Sequence, residues 1–122
     1  IDTHTLIWYS ENVNLPDRVE KLISDSDNKI FISVASLWEI AIKVSIGKLT
    51  IAAPLEDLIK NLNVYQFNLL PINFNHILQI QKLAFHHRDP FDRMIISQAI
   101  IEELIILGAD EIFDKYDVER IW

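Results

Sequence analysis

Four acidic residues stand at positions from which their carboxylates can converge on one site. Each lies where a predicted strand ends or a predicted helix begins, and they come from four separate segments: Asp2, Glu39, Asp92 and Asp110. Carboxylates that are brought close together repel one another unless protons or cations intervene. Oxygen ligands of this kind suit Mg²⁺ or Mn²⁺, which keep bound waters for chemistry. The set therefore predicts a Mg²⁺ site, with Mn²⁺ as the alternative ion.

The elements that must position these acids are short apolar strands that alternate with helices. We predict strands in KIFIS, YQFNLLPI, LIILGAD and VERIW, and helices in TLIWY, PDRVEKLISDS, about 34–46, PLEDLIKNLN, about 75–84 and about 90–103. Strands that are apolar on both faces and alternate with helices indicate a parallel sheet covered on both sides. We therefore predict a three-layer α/β/α domain with a short central parallel sheet. Ligands of such sheets bind beyond the carboxyl ends of the strands, where the four acids lie.

Each acid also has a purely structural interpretation. Asp89 before Pro90 is typical of a helix N-cap followed by proline at the first helical position, which leaves Asp92 at N3. Asp110 could cap the turn EIFDKY, and Asp2 could be a polar strand end. These interpretations stay open for each acid alone, but they do not predict that the acids share one edge of one sheet.

Glu39 has two such interpretations. Ser36 and Glu39 fit the capping box S-x-x-E, with Ser36 as the helix cap. Glu39 and Lys43 also lie one helical turn apart, where opposite charges pair. Trp38 and Ile42 share a ridge of the same helix, a pattern more typical of a core or an interface than of a platform for stacked bases.

Composition narrows the class of protein. A chain of 122 residues predicts a single domain over residues 1–122, and Ile1-Asp2 has the pattern of a strand whose first half is missing. Half of the residues are apolar, which predicts an apolar surface patch that meets a partner. No apolar run reaches the roughly 18 residues of a membrane helix, so we expect no membrane association. The absence of cysteine excludes disulfides and cysteine nucleophiles and favours the cytoplasm.

Charge and glycine content exclude further classes. The net charge of −7 argues against a protein that coats nucleic acid through a basic face. It leaves open an enzyme that meets nucleic acid through bound metal, because a divalent cation inverts the local field. The only two glycines are Gly47 and Gly108, which rules out a P-loop and a dinucleotide-binding fingerprint.

The basic residues near the RDPFDR segment give weaker signals. Arg88 and Arg93 could hold a phosphate or a neighbouring carboxylate, or they could be solvated ends of a loop. His86 and His87 are adjacent and belong to no H-E-x-x-H motif, so a zinc site is not predicted. The isolated His76 is more typical of a structural role.

Four segments together resemble the PIN-domain family, and more closely the VapC-type ribonuclease toxins of prokaryotic toxin–antitoxin pairs. The segments are DTHTLIW, SVASLWEIAIKVSIGKL, HHRDPFDRMIISQA and GADEIFDKY, which span nearly the whole chain in the order that the family shows. The resemblance implies a small α/β fold with an acidic pocket that holds Mg²⁺ or Mn²⁺ and cuts RNA with a metal-activated water. It also implies a cognate antitoxin, a homodimer and an RNA substrate, often transfer RNA.

The resemblance assigns roles residue by residue. The family's four metal-binding and catalytic acids fall on positions already singled out by their placement: Asp2, Glu39, Asp92 and Asp110. Asp89 matches an additional aspartate of the RDPFDR signature and receives a supporting role, as do Arg88 and Arg93. One position departs from the family, which usually has Thr or Ser two residues before its last acid. Gly108 stands there, so a hydroxyl that could orient a carboxylate or a water is absent.

Two other functions fit part of the pattern. A receiver-type signalling domain is also α/β with an acidic Mg²⁺ pocket, by analogy of fold alone. It needs paired acids at the first strand and an aspartate after the third, which YQFNLLPIN lacks. The second is a PIN-like domain that has lost its chemistry and only binds an antitoxin or RNA. Gly108 favours that function, and the four acids argue against it, because a carboxylate cluster with no metal carries an electrostatic cost.

Overall fold

The chain folds into a three-layer α/β/α arrangement, as the sequence predicts. The structure, a computed structural model, describes residues 1–13 and 15–122. The described helices are α1 (Thr3–Ser10), α2 (Asp17–Ser24), α3 (Val34–Ser45), α4 (Leu55–Val64), α5 (Phe74–Lys82), α6 (Pro90–Glu102) and a 3₁₀ helix, Glu111–Lys115. The described strands are β1 (Phe31–Ser33), β2 (Asn68–Leu70), β3 (Ile106–Leu107) and β4 (Arg120–Ile121). The predicted helices are present, as are the strands predicted in KIFIS, YQFNLLPI, LIILGAD and VERIW, with their ends shifted by a few residues, whereas Ile1 and Asp2 belong to no strand.

The strands are parallel and pair in two sets. β1 pairs with β2, and β3 pairs with β4. The first two residues lie between these pairs: the Ile1 amino group donates to the Phe31 carbonyl at 2.8 Å, and the Asp2 N–H donates to the Leu107 carbonyl at 3.0 Å. The backbone of Ile1 and Asp2 therefore connects β1 with β3. This connection places Asp2 at the carboxyl end of both strands.

The strand β2 differs from the prediction that every strand is buried on both faces. The Leu69 side chain is 49% exposed, and Asn68 is also exposed. Within the described residues β2 pairs with β1 alone, so it is an edge of its sheet. An edge strand has solvent on one side, and a run of apolar letters does not reveal which strand occupies that position.

Two groups of buried side chains hold the layers together. The larger group joins α1, α2, α3 and α4 to the strands, and its least exposed members are Leu6, Val19, Ile32, Ile40 and Leu62. The smaller group lies beneath α6 and the 3₁₀ helix and consists of Ile95, Ile96, Ala99, Ile106 and Phe113. The second group fixes α6 relative to the 3₁₀ helix, and these are the elements that carry Asp92 and Asp110.

The start of α3 corrects one expectation. Ser33 is the N-cap, and its Oγ accepts a hydrogen bond from the Ala35 N–H at 3.0 Å. Ser36 lies inside the helix and is buried, so the capping box with Glu39 does not form. Ser33 ends β1, and the strand therefore passes directly into the helix. The predicted start of the helix at about residue 34 is confirmed, and the alternative cap at Ser36 is wrong by one helical turn.

The helix α5 exposes a row of apolar side chains. Phe74, Ile77 and Leu78 lie on one helical face at spacings of three and four residues, and all three are exposed. Such a row on a surface helix is the apolar patch that the composition predicts.

Membrane insertion through a helix finds no support. None of the helices in the described part of the chain combines the length and the apolar character needed to cross a bilayer.

Candidate active site

The helix α6 begins at the acidic entrance that the sequence predicts. Asp89 is its N-cap: one carboxylate oxygen accepts from the Phe91 N–H at 2.8 Å and lies 3.4 Å from the Asp92 nitrogen. Pro90 occupies the first helical position, where its missing N–H costs nothing. Because Asp89 supplies the cap, the Asp92 carboxylate in the first turn is left for another role.

Asp92 has the most perturbed carboxylate of the site. Its pKa is raised from 3.8 to about 7, first because the group is buried and then because other carboxylates surround it. Those that raise the pKa are, in decreasing order, Asp89, Glu39, Asp2 and Asp110. The three other predicted acids therefore lie close enough to Asp92 to act on its charge. A strongly perturbed carboxyl among others of the same sign is a mark of functional sites.

Glu39 reaches the same region from the second turn of α3. The residue is 2% exposed, and its Oε1 forms an ion pair with Lys43 one turn further along the helix. Its Oε2 is buried and has no hydrogen-bond partner among the described residues. A buried carboxylate oxygen without a partner is costly, and a bound cation is one way to satisfy it.

The two carboxylate oxygens of Asp2 have different surroundings: one caps a helix and the other faces Gly108. Its Oδ1 accepts from the Thr5 N–H at 2.7 Å and caps α1, while burial raises the pKa of the carboxyl. Its Oδ2 lies against Gly108, where a Cβ atom would come within 2.5 Å of that oxygen and 3.1 Å of the Phe113 ring. Gly108 therefore leaves room for the Asp2 carboxylate. A Thr or Ser at position 108 would have to displace Asp2 as it is placed here.

Asp110 joins the site through a residue that the sequence analysis set aside. Its Oδ1 caps the 3₁₀ helix by accepting from the Ile112 N–H at 2.9 Å. Its Oδ2 lies 3.4 Å from Nε2 of His87, and the same Nε2 lies 3.1 Å from Oδ2 of Asp92. The imidazole of His87 therefore lies between Asp92 and Asp110.

Three contacts position His87. Its Nδ1 accepts from the Asp89 N–H at 3.0 Å, and its ring stacks on Phe113 with 23° between the planes. Its own N–H donates to the Tyr116 hydroxyl at 2.7 Å. An imidazole nitrogen that accepts a hydrogen bond carries no proton, so neutral His87 bears its proton on Nε2. The signal in the sequence is the position of His87 two residues before a helix cap, within reach of that cap's amide.

The two arginines occupy different environments. Arg93 is 8% exposed, and its guanidinium donates to the backbone carbonyls that follow α5, including that of Ala84 at 2.9 Å. Further acceptors are the carbonyls of Ile80, Leu83 and His87. Arg93 therefore stabilises the loop that carries His87, and among the described residues its hydrogen bonds reach none of the four acids. Arg88 is exposed on that loop.

The donor set suits a divalent cation, although the side chains do not form a closed cage. A bound cation would pair with the unpartnered Oε2 of Glu39 and would favour the charged form of Asp92, whose pKa is raised by burial and by nearby carboxylates. Among the described residues, no group of three His, Asp or Glu side chains stands close enough together to coordinate one ion. Lys43 pairs with Glu39, and His87 contacts Asp92 and Asp110, so nitrogen groups stand beside three of the four acids.

The chain combines an α/β/α fold with a carboxylate, Asp92, on which acids from separate elements of the fold act. The PIN-domain family model matches residues 1–119, and the chain therefore belongs to the PIN-domain family. PIN domains are generally metal-dependent nucleases that act on RNA, and many are toxins with an antitoxin partner. No curated protein matches the chain.

Proposed function

We propose that this chain is a Mg²⁺- or Mn²⁺-dependent endoribonuclease and the toxin of a type II toxin–antitoxin pair. Its catalytic and metal-binding residues would be Asp2, Glu39, Asp92 and Asp110. The observation that carries the proposal is the environment of Asp92: it faces the same His87 nitrogen as Asp110, and its pKa is raised by burial, by Asp89 and by the three other acids. Fold alone does not require such a concentration of charge at one point. A cation that binds there removes the cost.

The chemistry follows from the acids and from their neighbours. A divalent cation in such a site activates a water and stabilises charge on the scissile phosphate. The four carboxylates would hold that cation, and each has its orientation fixed by the fold: Asp2 and Asp110 as helix caps, Glu39 by Lys43 and Asp92 by His87. No side chain is required as a covalent nucleophile.

Lys43 gives the site a positive charge at its mouth. Its side chain is 34% exposed, and its pKa is raised by Glu39, Asp89 and Asp92. An acidic pocket on a chain with a net charge of −7 repels the phosphates of RNA. The exposed part of the Lys43 side chain would contact a phosphate of the substrate. Arg88 is also exposed for such a contact.

The proposed partners follow from charge and from exposed apolar surface. A basic segment of a cognate antitoxin would be attracted to the acidic pocket and would block it. The apolar row of Phe74, Ile77 and Leu78 on α5 would form a homodimer contact. The substrate would be a defined RNA, with transfer RNA as the first candidate, and the cytoplasm the place of action. Residues 1–122 would act as one PIN-like domain.

A PIN-like domain that only binds an antitoxin or RNA is the alternative. It is favoured by the nitrogen groups that already pair with three of the acids and by the separation of the acids in the described residues. The alternative predicts that the acids bind no cation with useful affinity. It also predicts that the chain binds RNA without cutting it.

Cleavage of a small-RNA pool tests the proposal. The natural chain, Asp92→Asn and Asp114→Asn would each be incubated with Mg²⁺ or Mn²⁺, and with EDTA as a further control. Asp114 is the matched control, because it is an exposed aspartate whose carboxylate pairs with Arg120. Metal-dependent cutting by the natural chain and by Asp114→Asn, and its loss in Asp92→Asn, supports the nuclease. If the folded natural chain, free of antitoxin, cuts nothing with either ion, the alternative replaces it.

A further inference from the structure

Among the residues that the structure describes, His87 is the one side chain that pairs with two of the four acids. Its Nε2 lies 3.1 Å from Oδ2 of Asp92 and 3.4 Å from Oδ2 of Asp110. These acids come from elements that are separate in the chain, the start of α6 and the start of the 3₁₀ helix. Two carboxylates that approach the same point repel each other, so their relative position depends on what stands between them.

The ring of His87 has little freedom to move. The Asp89 N–H on Nδ1, the Phe113 ring on one face and the Tyr116 hydroxyl on the backbone N–H fix it independently. Because Nδ1 accepts, the neutral ring presents an N–H at Nε2 to the two carboxylates. The side chain is only 12% exposed, so water competes weakly for that N–H.

We propose that His87 is a positioning residue that shares its Nε2 proton between Asp92 and Asp110 and so fixes the distance between them. The proposal rests on the function proposed above, because it takes these two acids as cation ligands. His87 itself is not a ligand in this arrangement, since the nitrogen that faces the acids carries the proton. Residues that orient metal ligands through hydrogen bonds typically change metal affinity by 10- to 100-fold when they are replaced.

The test is the affinity for Mn²⁺, measured by calorimetry on the full chain. His87→Phe keeps the ring that packs on Phe113 and removes both nitrogens. His87→Gln restores an N–H group near the position of Nε2. His86→Phe is the matched control, because His86 is the preceding histidine and its ring packs on Tyr116, a contact that an aromatic ring at position 86 can keep. The unfolding temperature of each variant shows whether the fold is retained.

We expect His87→Phe to weaken Mn²⁺ binding by about tenfold or more, His87→Gln to recover part of that loss, and His86→Phe to stay within about twofold of the natural chain. Pulsed electron paramagnetic resonance of bound Mn²⁺ should show no directly coordinated nitrogen. Three results overturn the proposal: no Mn²⁺ binding by the natural chain, unchanged affinity in His87→Phe, or a nitrogen bound directly to Mn²⁺.

The outcomes also separate this proposal from the nuclease itself. If the natural chain binds Mn²⁺ and loses affinity in His87→Phe but cuts no RNA, the positioning role stands and the nuclease fails. If it cuts RNA and His87→Phe binds Mn²⁺ as well as the natural chain, the nuclease stands and the positioning role fails.

Discussion

Two histidines of this chain make the same kind of contact in different surroundings. His76 lies at the junction of α5 and α6, where its Nδ1 accepts the Asn73 N–H at 3.2 Å and its Nε2 lies 2.8 Å from Oε1 of Glu102. His87 likewise accepts a backbone N–H on Nδ1 and turns Nε2 toward acids. In both places the fold selects the tautomer through a backbone amide.

The difference lies in the number of carboxylates. His76 is fully buried and meets one acid, Glu102, whose side chain is 39% exposed and therefore partly hydrated. His87 faces Asp92 and Asp110, and Asp92 in turn is affected by Glu39, Asp2 and Asp89. A neutral imidazole has one N–H to donate, which meets one carboxylate at His76 and two at His87. The surroundings of His87 therefore differ from those of His76 in excess negative charge rather than in the histidine–acid contact itself.

The largest effect is expected for Asp92→Asn. Removal of one carboxylate that holds the cation should raise the activation free energy of cleavage by several kcal/mol. The cleavage rate should therefore fall on the order of a thousandfold. The amide fills almost the same space, so the effect reports charge and ligation. Single-turnover cleavage measures it, and residual activity within about tenfold of the natural chain would contradict the assignment.

The same substitution should change stability in a pH-dependent way. The pKa of folded Asp92 is about 7 against 3.8 in the reference state, so the folded chain binds this proton more tightly than the unfolded chain. That contribution is full at pH below about 4 and is lost as the pH rises through about 7. Above pH 7 without divalent cation, Asp92→Asn should therefore be the more stable protein, by on the order of a few kcal/mol. Urea unfolding at several pH values measures the difference, which should shrink toward low pH.

The corresponding substitution of the other histidine, His76, should affect stability rather than Mn²⁺ binding. His76→Ala removes a fully buried ring and its hydrogen bonds, which should lower the free energy of unfolding by about 2–4 kcal/mol. The affinity of the folded variant for Mn²⁺ should not change. A loss of Mn²⁺ binding equal to that of a site variant would show that the two histidine regions are not independent.

Substitutions of the two glycines should have smaller effects, and only one of them should affect Mn²⁺ binding. Gly108→Ala puts a Cβ against the Asp2 carboxylate, so it should weaken Mn²⁺ binding and lower stability by about 1–3 kcal/mol. Gly47→Ala meets open space but has a φ of 69°, so it should cost about 1 kcal/mol through backbone strain and leave Mn²⁺ binding unchanged. Calorimetry and urea unfolding of both variants test the pair. Equal Mn²⁺ affinities would contradict the account of Gly108.

The smallest effect is expected at the pair of Asp114 and Arg120. Asp114 is exposed, and the Arg120 guanidinium lowers its pKa through hydrogen bonds of 2.8 Å. Asp114→Asn should change neither Mn²⁺ affinity nor cleavage by more than about twofold, because exposed ion pairs contribute little. A larger loss would extend the functional site beyond the pocket.

Local signals predicted much of the fold. Asp89 and Pro90 mark the start of α6, and Gly47 marks the end of α3, because caps and left-handed residues act within one helical turn. The alternation of short strands with helices predicted the parallel pairing. The exposure of β2 could not be predicted, since it depends on which strand takes the edge of a sheet.

The acids that act on Asp92 could be singled out from the sequence by position, whereas the contacts of these acids with other side chains could not. The placement of the four acids at strand ends and helix starts predicted that they would gather near Asp92. The contacts of His87 with Asp92 and Asp110 join residues that are distant in sequence or lie on a loop, and no local pattern encodes them. The space that Gly108 leaves for Asp2 likewise depends on packing between β3 and the start of the chain.

The most direct test of the central claim is a calorimetric titration of Mn²⁺ into the natural chain and into Asp92→Asn at a pH above 7. We predict that Mn²⁺ binds the natural chain saturably and that its affinity for Asp92→Asn is lower by at least about tenfold. The reason is that Asp92 and the carboxylates around it would be the ligands. Equal affinities in the two proteins, or no binding to either, would contradict it.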